Sequence, residues 1–215
     1  MFGIPRVENP LGSSYKFQYM DRIELLKRVS KLLPHVPAQE LGKLLDISSY
    51  LSFPAKSVIL ESGNVRRKAF FILKGAVRGY VLNRDGQEKN ILLRSEGIFV
   101  GDPSNLFAGQ PQRMSMETIA NAEVLVFSYD DFENLAFSSP AIMKVYLGAL
   151  KEAVLRLSYR IDSMITMTGE ERYLDLLDKN PAFLIDAYDK QVANFLGMTP
   201  VSFSRIKKKA KRSDT

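Results

Sequence analysis

The spacing of apolar residues changes along the chain and predicts three kinds of structure in succession. From Tyr15 to about Ser49 the apolar positions are helix-spaced, with short helices expected in "MDRIELLKRVSKLLPHV" and "PAQELGKLLDISSYL". From Phe53 to Tyr129, short runs of β-branched and aromatic residues are separated by glycine or proline. From Ala141 to about Met167 the helical spacing returns without an internal proline, which predicts one long helix.

The central segment has the pattern of many short antiparallel strands. Strand-like runs include "KSVILES", "AFFILKGAVRGYVLN", "EKNILLR", "IFVGD" and "EVLVFSY", and "NRDGQE" is typical of a hairpin turn. Glycines mark turns at intervals of roughly ten residues, at Gly63, Gly75, Gly86 and Gly97. This pattern predicts a barrel or a jelly roll.

The long helix carries a regular apolar seam. Steps of four and three residues alternate through Met143, Leu147, Leu150, Val154, Leu157, Ile161 and Met164. A sustained heptad seam is typical of a helix that pairs with a partner along its length, so these residues are the predicted interface of a homodimer. The alternative is packing on the helix's own domain, and further apolar residues beside the seam predict that one flank faces the strands.

Positive charge is concentrated at the end of the sequence. Residues 190–215 contain seven basic residues and one acidic residue, so this segment alone carries the +6 formal charge of the whole chain. Concentrated positive charge indicates a polyanionic partner, with nucleic acid as the leading candidate. The alternative is a solvated terminus with no partner.

The residues around this charge have the pattern of two short helices joined by a tight turn. Asp189 to Leu196 is helix-spaced, and Gly197 has the permissive backbone that the turn needs. Thr199 is a good N-cap, and Pro200 suits the first helical position. With Phe203 on its inner face, the second helix completes a helix-turn-helix pattern suited to a DNA major groove.

The predicted DNA-contacting residues lie on this second helix or at its start. They are Thr199, Ser202, Ser204, Arg205, Lys207, Lys208 and Lys209. Arg205 and Ser202 are assigned to base edges or adjacent phosphates. Because three consecutive helical residues point in three directions, at least some of the lysines are expected to meet phosphates or solvent.

Composition excludes several kinds of site. The chain has no cysteine, which excludes disulfides, zinc-thiolate sites and cysteine-ligated iron–sulfur clusters. No apolar run approaches the ~20 residues that span a bilayer, and "MFGIPRVENPLGSSYKF" lacks a signal-peptide core, so a cytoplasmic protein without a membrane partner is expected. The single histidine, His35, has no identifiable partner, so neither an enzyme nor a metal site is predicted.

In this order the elements resemble the Crp/Fnr family of bacterial transcription regulators, of the short-tailed type, over nearly the whole chain. The resemblance rests on "FFILKGAVRGYVLNRDGQEKNILL", "GQPQRMSMETIANAEVLVFSYDDF", "ERYLDLLDKNP" and "QVANFLGMTPVSFSRIKKK". It implies an α+β fold with an N-terminal β-roll (a double-stranded β-helix or jelly roll), a long dimerisation helix and a C-terminal helix-turn-helix domain. The expected limits are 15–139 for the cyclic-nucleotide-binding-like sensor domain, 140–167 for the helix and 168–215 for the DNA-binding domain.

The resemblance also implies an effector pocket in the β-roll. Cyclic-nucleotide-responsive members hold the ribose with a Gly-Glu pair and the cyclic phosphate with an Arg-Ser/Thr pair about ten residues later. Gly101 and Asp102 match the first pair, whereas Gln112 stands at the arginine position and Arg113 comes one position late. A one-residue shift on a strand turns a side chain to the opposite face. A cyclic nucleotide is thus the candidate cofactor, but weak or absent cyclic AMP binding is expected.

The resemblance covers the second basic helix only in part. Arg205 matches a family position that contacts a guanine or a phosphate, whereas Pro200 and Val201 replace an Arg-Glu pair used for base reading. A different target sequence is therefore expected. The sequence ends without a β-hairpin wing, whose phosphate contacts could come instead from Lys207, Lys208, Lys209, Lys211 and Arg212.

The sequence therefore predicts a homodimeric DNA-binding transcription regulator. It reads a palindromic operator with the helix 199–209 and responds to an unidentified effector at the β-roll, with RNA polymerase as a further candidate partner. The alternative is a ligand- or protein-binding module whose basic tail has lost specific DNA recognition.

Overall fold

The computed structural model describes residues 20–179, 183 and 188–213, and it begins with two short helices. These are α1 (Arg22–Leu32) and α2 (Ala38–Asp46). The Asp21 carboxylate caps α1 by accepting hydrogen bonds from the backbone N–H groups of Ile23 and Glu24. Residues 1–19, including the first part of the predicted sensor domain, lie outside the described residues.

Within the described residues, eight antiparallel strands form two four-stranded sheets in the orders β1-β8-β3-β6 and β2-β7-β4-β5. The strands are β1 (Ser48–Phe53), β2 (Val58–Leu60), β3 (Lys68–Lys74), β4 (Ala76–Leu82), β5 (Glu88–Ser95), β6 (Phe99–Val100), β7 (Ser115–Thr118) and β8 (Ala122–Ser128). A short helix, α3 (Pro103–Ala108), lies between β6 and β7. The predicted roll is confirmed.

The predicted β4–β5 hairpin is also present, and its turn is built by local hydrogen bonds. The Asn83 side-chain oxygen accepts from the backbone N–H groups of Asp85 and Gln87. Gly86 adopts φ 73°, a left-handed conformation that favours glycine. The turn is thus fixed by its own residues, which is why the sequence revealed it.

The core of the roll follows the two-residue period of its strands. On β3, Phe70 and Ile72 pack between the two sheets, whereas Phe71 and Leu73 pack against the helices. All four side chains are buried, so β3 is covered on both faces. One sheet therefore has a helical layer on its outer side, made of α1, α2 and the helices that follow β8.

Two consecutive helices leave the roll after β8. They are α4 (Tyr129–Ser138) and α5 (Pro140–Thr166), the latter confirming the predicted long helix at 27 residues. Ser139 separates them, and its hydroxyl caps α5 by accepting a hydrogen bond from the Ile142 N–H. The same hydroxyl donates to Glu40 on α2 over 2.6 Å, which ties this junction to the N-terminal helices.

The C-terminal helices pack on the second sheet of the roll as well as on one another. They are α6 (Gly169–Lys179), α7 (Asp189–Phe195) and α8 (Pro200–Ser213). One apolar cluster joins Tyr173, Val192 and Phe203 from these helices to Ala76 and Leu93 from the strands. No helix among the described residues combines the length and hydropathy needed to cross a membrane.

Candidate functional site

The turn between α7 and α8 is closed by backbone hydrogen bonds and requires its glycine. The Met198 N–H donates to the Ala193 carbonyl over 2.9 Å, and Gly197 has φ 69°. A Cβ at position 197 would lie 2.9 Å from the Met164 Cε atom of α5. The turn is therefore left-handed and tightly packed. The prediction that Gly197 supplies the permissive backbone of this turn is confirmed.

The start and the inner face of α8 follow the sequence prediction. The Thr199 hydroxyl oxygen accepts a hydrogen bond from the Ser202 N–H over 3.1 Å, and Pro200 is the first helical residue. Phe203 is fully buried and meets the Tyr173 ring edge-on, with centroids 5.5 Å apart. The two helices form a helix-turn-helix held by a compact apolar core.

The predicted DNA-contacting residues have unequal surroundings. Ser202 and Lys207 are half-buried, and the exposed ones are Thr199, Ser204, Arg205, Lys208 and Lys209. Among the described residues, Arg205 and Lys208 form no salt bridge. Their roles on DNA stay predictions, and the side chains of Lys211 and Arg212 lie outside those described.

The other two lysines of this helix are already paired with carboxylates. Lys207 lies 2.6 Å from Asp189 at the start of α7, and Lys209 lies 2.8 Å from Glu170 at the start of α6. Both pairs are solvent-exposed, and such pairs contribute about 0–1 kcal/mol. A phosphate could therefore replace either carboxylate at little cost.

Most of the heptad seam of α5 is exposed in the single chain. Met143 and Leu150 are half-buried, and the other five predicted interface residues are exposed: Leu147, Val154, Leu157, Ile161 and Met164. The face of α5 that packs on the chain itself carries Ile142, Val145 and Ser163 instead. The seam is thus mostly exposed, while its two ends contact the chain itself: Met143 packs against the helical layer of the roll, and Met164 lies beside the Gly197 turn.

The carboxylate at the predicted ribose position is used internally. Asp102 is buried, and its oxygens accept hydrogen bonds from the backbone N–H groups of Ser104, Arg113 and Met114. A Cβ at Gly101 would lie 2.5 Å from Leu106, so this position needs glycine for close packing. The observed role of Asp102 is to cap α3 and fasten it to the segment that leads into β7.

The predicted phosphate position is filled by a buried amide. The Gln112 Nε2 donates to the Arg66 carbonyl over 3.2 Å and to the Asn105 side-chain oxygen over 2.9 Å. Among the described residues, the buried Gln112 Oε1 has no hydrogen-bond partner. The Arg113 side chain is exposed, as expected for a one-residue shift on extended backbone. The part of these residues in effector binding stays a prediction.

A large cavity lies beside these residues and was not predicted. Its volume is about 690 Å³, and β5, β6, α3, α5, α6 and α7 all contribute to its walls. Of the four predicted effector residues, only Gly101 lines it. Among the described residues, no group of three or more metal-ligating side chains is present there or elsewhere.

Four arginines that line the cavity were not among the functional residues predicted from the sequence. Arg94, Arg156, Arg160 and Arg172 all line the cavity. The pKa of Arg94 is lowered to about 10, mainly by burial and to a smaller extent by the nearby Arg156 guanidinium. Burial, followed by Arg172, also lowers the pKa of Arg160. The four-residue spacing of Arg156 and Arg160, which places both on one side of the long helix, was the available signal.

A polar cluster fixes α7 to β5. The backbone N–H of Asn90 donates to the Asn194 side-chain oxygen over 2.7 Å, and the Asn90 side chain donates to both oxygens of Gln191. Arg78 donates to the Asn90 side-chain oxygen and pairs with Glu117 and Glu88. The first helix of the helix-turn-helix is therefore bound to the roll by directional, largely buried contacts.

Comparison with known proteins agrees with this architecture. Residues 50–139 match the family model of the cyclic nucleotide-binding domain. The cAMP-activated global transcriptional regulator CRP of Pasteurella multocida is 24% identical over 119 residues, which are 54% of this chain and 57% of that protein. The match thus spans little more than half the length of that relative.

Two solved structures share the fold across most of the chain. FixK2 from Bradyrhizobium japonicum has a TM-score of 0.67 at 17% identity, covering 78% of this chain and 86% of that one. The c-di-GMP responsive global regulator CLP from Xanthomonas campestris has a TM-score of 0.66 at 18% identity, covering 83% and 93%. Residues 50–139 thus match the cyclic nucleotide-binding domain, and the fold of the chain is similar to that of these two solved structures; both findings agree with the resemblance to the Crp/Fnr family stated from the sequence.

Proposed function

We propose that this protein is a homodimeric transcription regulator that reads a palindromic DNA operator with α8. The proposal rests on the exposed face of α8. Arg205 and Lys208 lie on this face, and neither forms a salt bridge among the described residues. Phe203 fixes the buried face of α8, and small polar and basic side chains cover its exposed face. Such a helix is suited to a DNA major groove.

The exposed side chains divide into two roles in this proposal. Arg205 is assigned to a base edge, because a guanidinium can donate two parallel hydrogen bonds to a guanine. Lys207, Lys208 and Lys209 are assigned to phosphates, together with the hydroxyl groups of Thr199, Ser202 and Ser204. The two lysine salt bridges would open on binding, and each is weak enough to do so.

Dimerisation along α5 would supply the second half of the operator contact. The exposed seam gives each chain a continuous apolar strip, and a two-fold pairing of two strips is self-complementary. Two copies of α8 would then have to stand about one DNA turn, roughly 34 Å, apart. We assign residues 15–139 to sensing, 140–167 to dimerisation and 168–215 to DNA binding.

This role implies further partners and a place of action. A regulator of this kind works in the bacterial cytoplasm, and contact with RNA polymerase would make it an activator. The effector site is proposed at the β-roll, where Gly101 borders the cavity. No catalytic step is part of the proposal.

Selection of duplexes from a random DNA pool by the full chain tests the proposal. We expect a palindrome with half-sites about 10 base pairs apart. Arg205→Ala should relax the preference at one position per half-site, whereas Lys208→Ala should weaken binding to all duplexes and lower the salt slope by about one unit. Lys151→Ala, an exposed cation on α5, serves as the control and should change neither.

The competing function is a ligand- or protein-binding module that has lost specific DNA recognition. The salt bridges of Lys207 and Lys209 favour it, because they withdraw charge from the candidate surface. Enrichment of no sequence over the starting pool, with equal binding to all duplexes, would support this alternative and refute the operator-reading role.

A further inference from the structure

The cavity has the size and shape of a small-molecule site. Its volume of about 690 Å³ lies within the range of about 300–1,000 Å³ that is typical of ligand pockets. Three parts of the chain enclose it: the roll through β5 and β6, the long helix α5, and the C-terminal helices α6 and α7. A molecule inside would touch all three parts at once.

Most of the cavity wall is apolar. Aromatic and aliphatic side chains cover it from the roll and from the helices, among them Ile91, Phe99, Leu106, Phe132, Leu176 and Leu196. Such a wall favours a ligand with a hydrocarbon chain or an aromatic body, since apolar surface gains free energy on leaving water. The ribose hydroxyl groups of a nucleotide would find few partners on these apolar side chains.

The charged side chains of the wall are mostly positive. Among the described residues, five basic and two acidic side chains line the cavity. The two acidic residues are paired, Glu152 with Arg156 at 2.7 Å and Asp175 with Lys179 at 2.6 Å. The remaining arginines, Arg94, Arg160 and Arg172, have no carboxylate in salt-bridge contact among the described residues, so the wall carries three uncompensated positive charges.

These three arginines differ in how far their guanidinium groups are already engaged. Arg172 donates to the carbonyls of Leu196 and Met167. Arg160 donates to the Phe195 carbonyl, and its guanidinium also lies over the Phe195 ring, 4.1 Å from the centroid. Arg94 donates to the carbonyl of its neighbour Leu93. A guanidinium has five N–H donors, so Arg94 keeps both unused donors and a free face for an incoming anion.

We infer that the cavity binds an anionic amphiphile, with its carboxylate on Arg94 and its apolar body against β6 and α3. This inference rests on the proposed function only in naming the effector class, because the binding itself needs no DNA. Arg94 is half-buried, with no carboxylate in salt-bridge contact among the described residues, and an anion delivered with an apolar body would pair with its charge while covering the wall.

The seam and the cavity share part of one wall. The cavity side of α5 carries Ala149, Ala153, Arg156 and Arg160, whereas the centre of the seam lies about 100° away around the helix. Three seam residues, Leu150, Val154 and Leu157, also line the cavity. A second copy paired along the seam would therefore meet the cavity at these residues.

Three probes with the same ten-carbon chain separate charge from apolar contact. Calorimetric titration of the full chain uses decanoate, decanol and decyltrimethylammonium, each below micelle formation. We expect decanoate to bind about 10- to 100-fold more tightly than decanol, the range of one charge-assisted hydrogen-bonded contact, and the cationic probe to bind most weakly. Equal affinity for all three probes, or no saturable binding of decanoate, would overturn the inference.

Two arginine variants test whether Arg94 is the residue that binds the carboxylate of decanoate. Arg94→Gln should remove most of the preference of decanoate over decanol, while Arg84→Gln in the exposed β4–β5 turn should leave it unchanged. Decanoate binding that survives Arg94→Gln unaltered contradicts the assignment. If Arg94→Gln misfolds, Arg94→Lys keeps the charge and should retain the preference. If the chain selects a DNA operator but does not bind decanoate, only this inference is refuted. If the chain binds decanoate but selects no DNA sequence, only the operator-reading role is refuted.

Discussion

Replacing Leu157 with lysine is the sharpest test of dimerisation along α5. Leu157 lies in the middle of the seam and is 61% exposed in the single chain. A lysine there would face its two-fold copy across the proposed interface, so two positive charges would meet where two leucines should pack. Because the residue is exposed in the single chain, the substitution should leave the fold of each protomer intact.

The size of the effect follows from the exposed area. Full burial of a leucine contributes about 1.5–3 kcal/mol, so the exposed part of Leu157 corresponds to about 1–2 kcal/mol per copy and about 2–4 kcal/mol per dimer. At about 1.4 kcal/mol per tenfold change, Leu157→Lys should weaken dimerisation by roughly 30- to 1,000-fold, before charge repulsion is counted.

The matched control is Leu155→Lys. Leu155 is 69% exposed, two residues away on the same helix and about 160° around it from Leu157, outside the seam. Sedimentation equilibrium over a range of concentrations measures both variants. We expect monomers for Leu157→Lys and dimers for Leu155→Lys. Dimerisation unaffected by Leu157→Lys, or lost equally in both variants, would show that the seam is not the interface.

Two further predictions concern the apolar core under α8 and the predicted phosphate position. Phe203→Ala should lower the free energy of unfolding, measured by urea denaturation, by about 3–5 kcal/mol. The control Val201→Ala, on the exposed face of α8, should change it by no more than about 0.5 kcal/mol. Equal effects of the two substitutions would mean that Phe203 does not anchor the helix. Calorimetry with cyclic AMP should give no saturable binding, because Gln112 cannot form a bidentate contact with a phosphate; micromolar affinity that Arg113→Ala abolishes would contradict this and place Arg113 in the pocket.

The elements that the sequence predicted best are those whose signals are local. The helical periodicity of α5, the N-cap at Thr199 and the left-handed turn at Gly197 each depend on residues within one or two helical turns. The run of aromatic and β-branched residues along β3 is of the same kind. Periodicity and capping therefore sufficed to predict the roll, the long helix and the helix-turn-helix.

The features that escaped prediction depend on contacts between distant residues. Asp102 could be matched to a ribose-binding position, yet its bonds to the backbone of Arg113 and Met114 could not be read from spacing. The cavity brings Arg94 and Arg160 together from a strand and a helix. Burial of an arginine has no sequence signature, because most arginines are exposed.

Strand β5 joins the cavity to the helix-turn-helix directly. Ile91 and Arg94 of this strand line the cavity, and Asn90 of the same strand holds α7 through its backbone and its side chain. Arg160 adds a second connection, since it lines the cavity and its guanidinium lies 4.1 Å from the centroid of the Phe195 ring at the end of α7. A ligand can shift an equilibrium only by binding two states differently. A ligand in this cavity would touch β5, Arg160 and the residues before the Gly197 turn, so any change in those contacts would act on the position of α8 without passing along the length of α5.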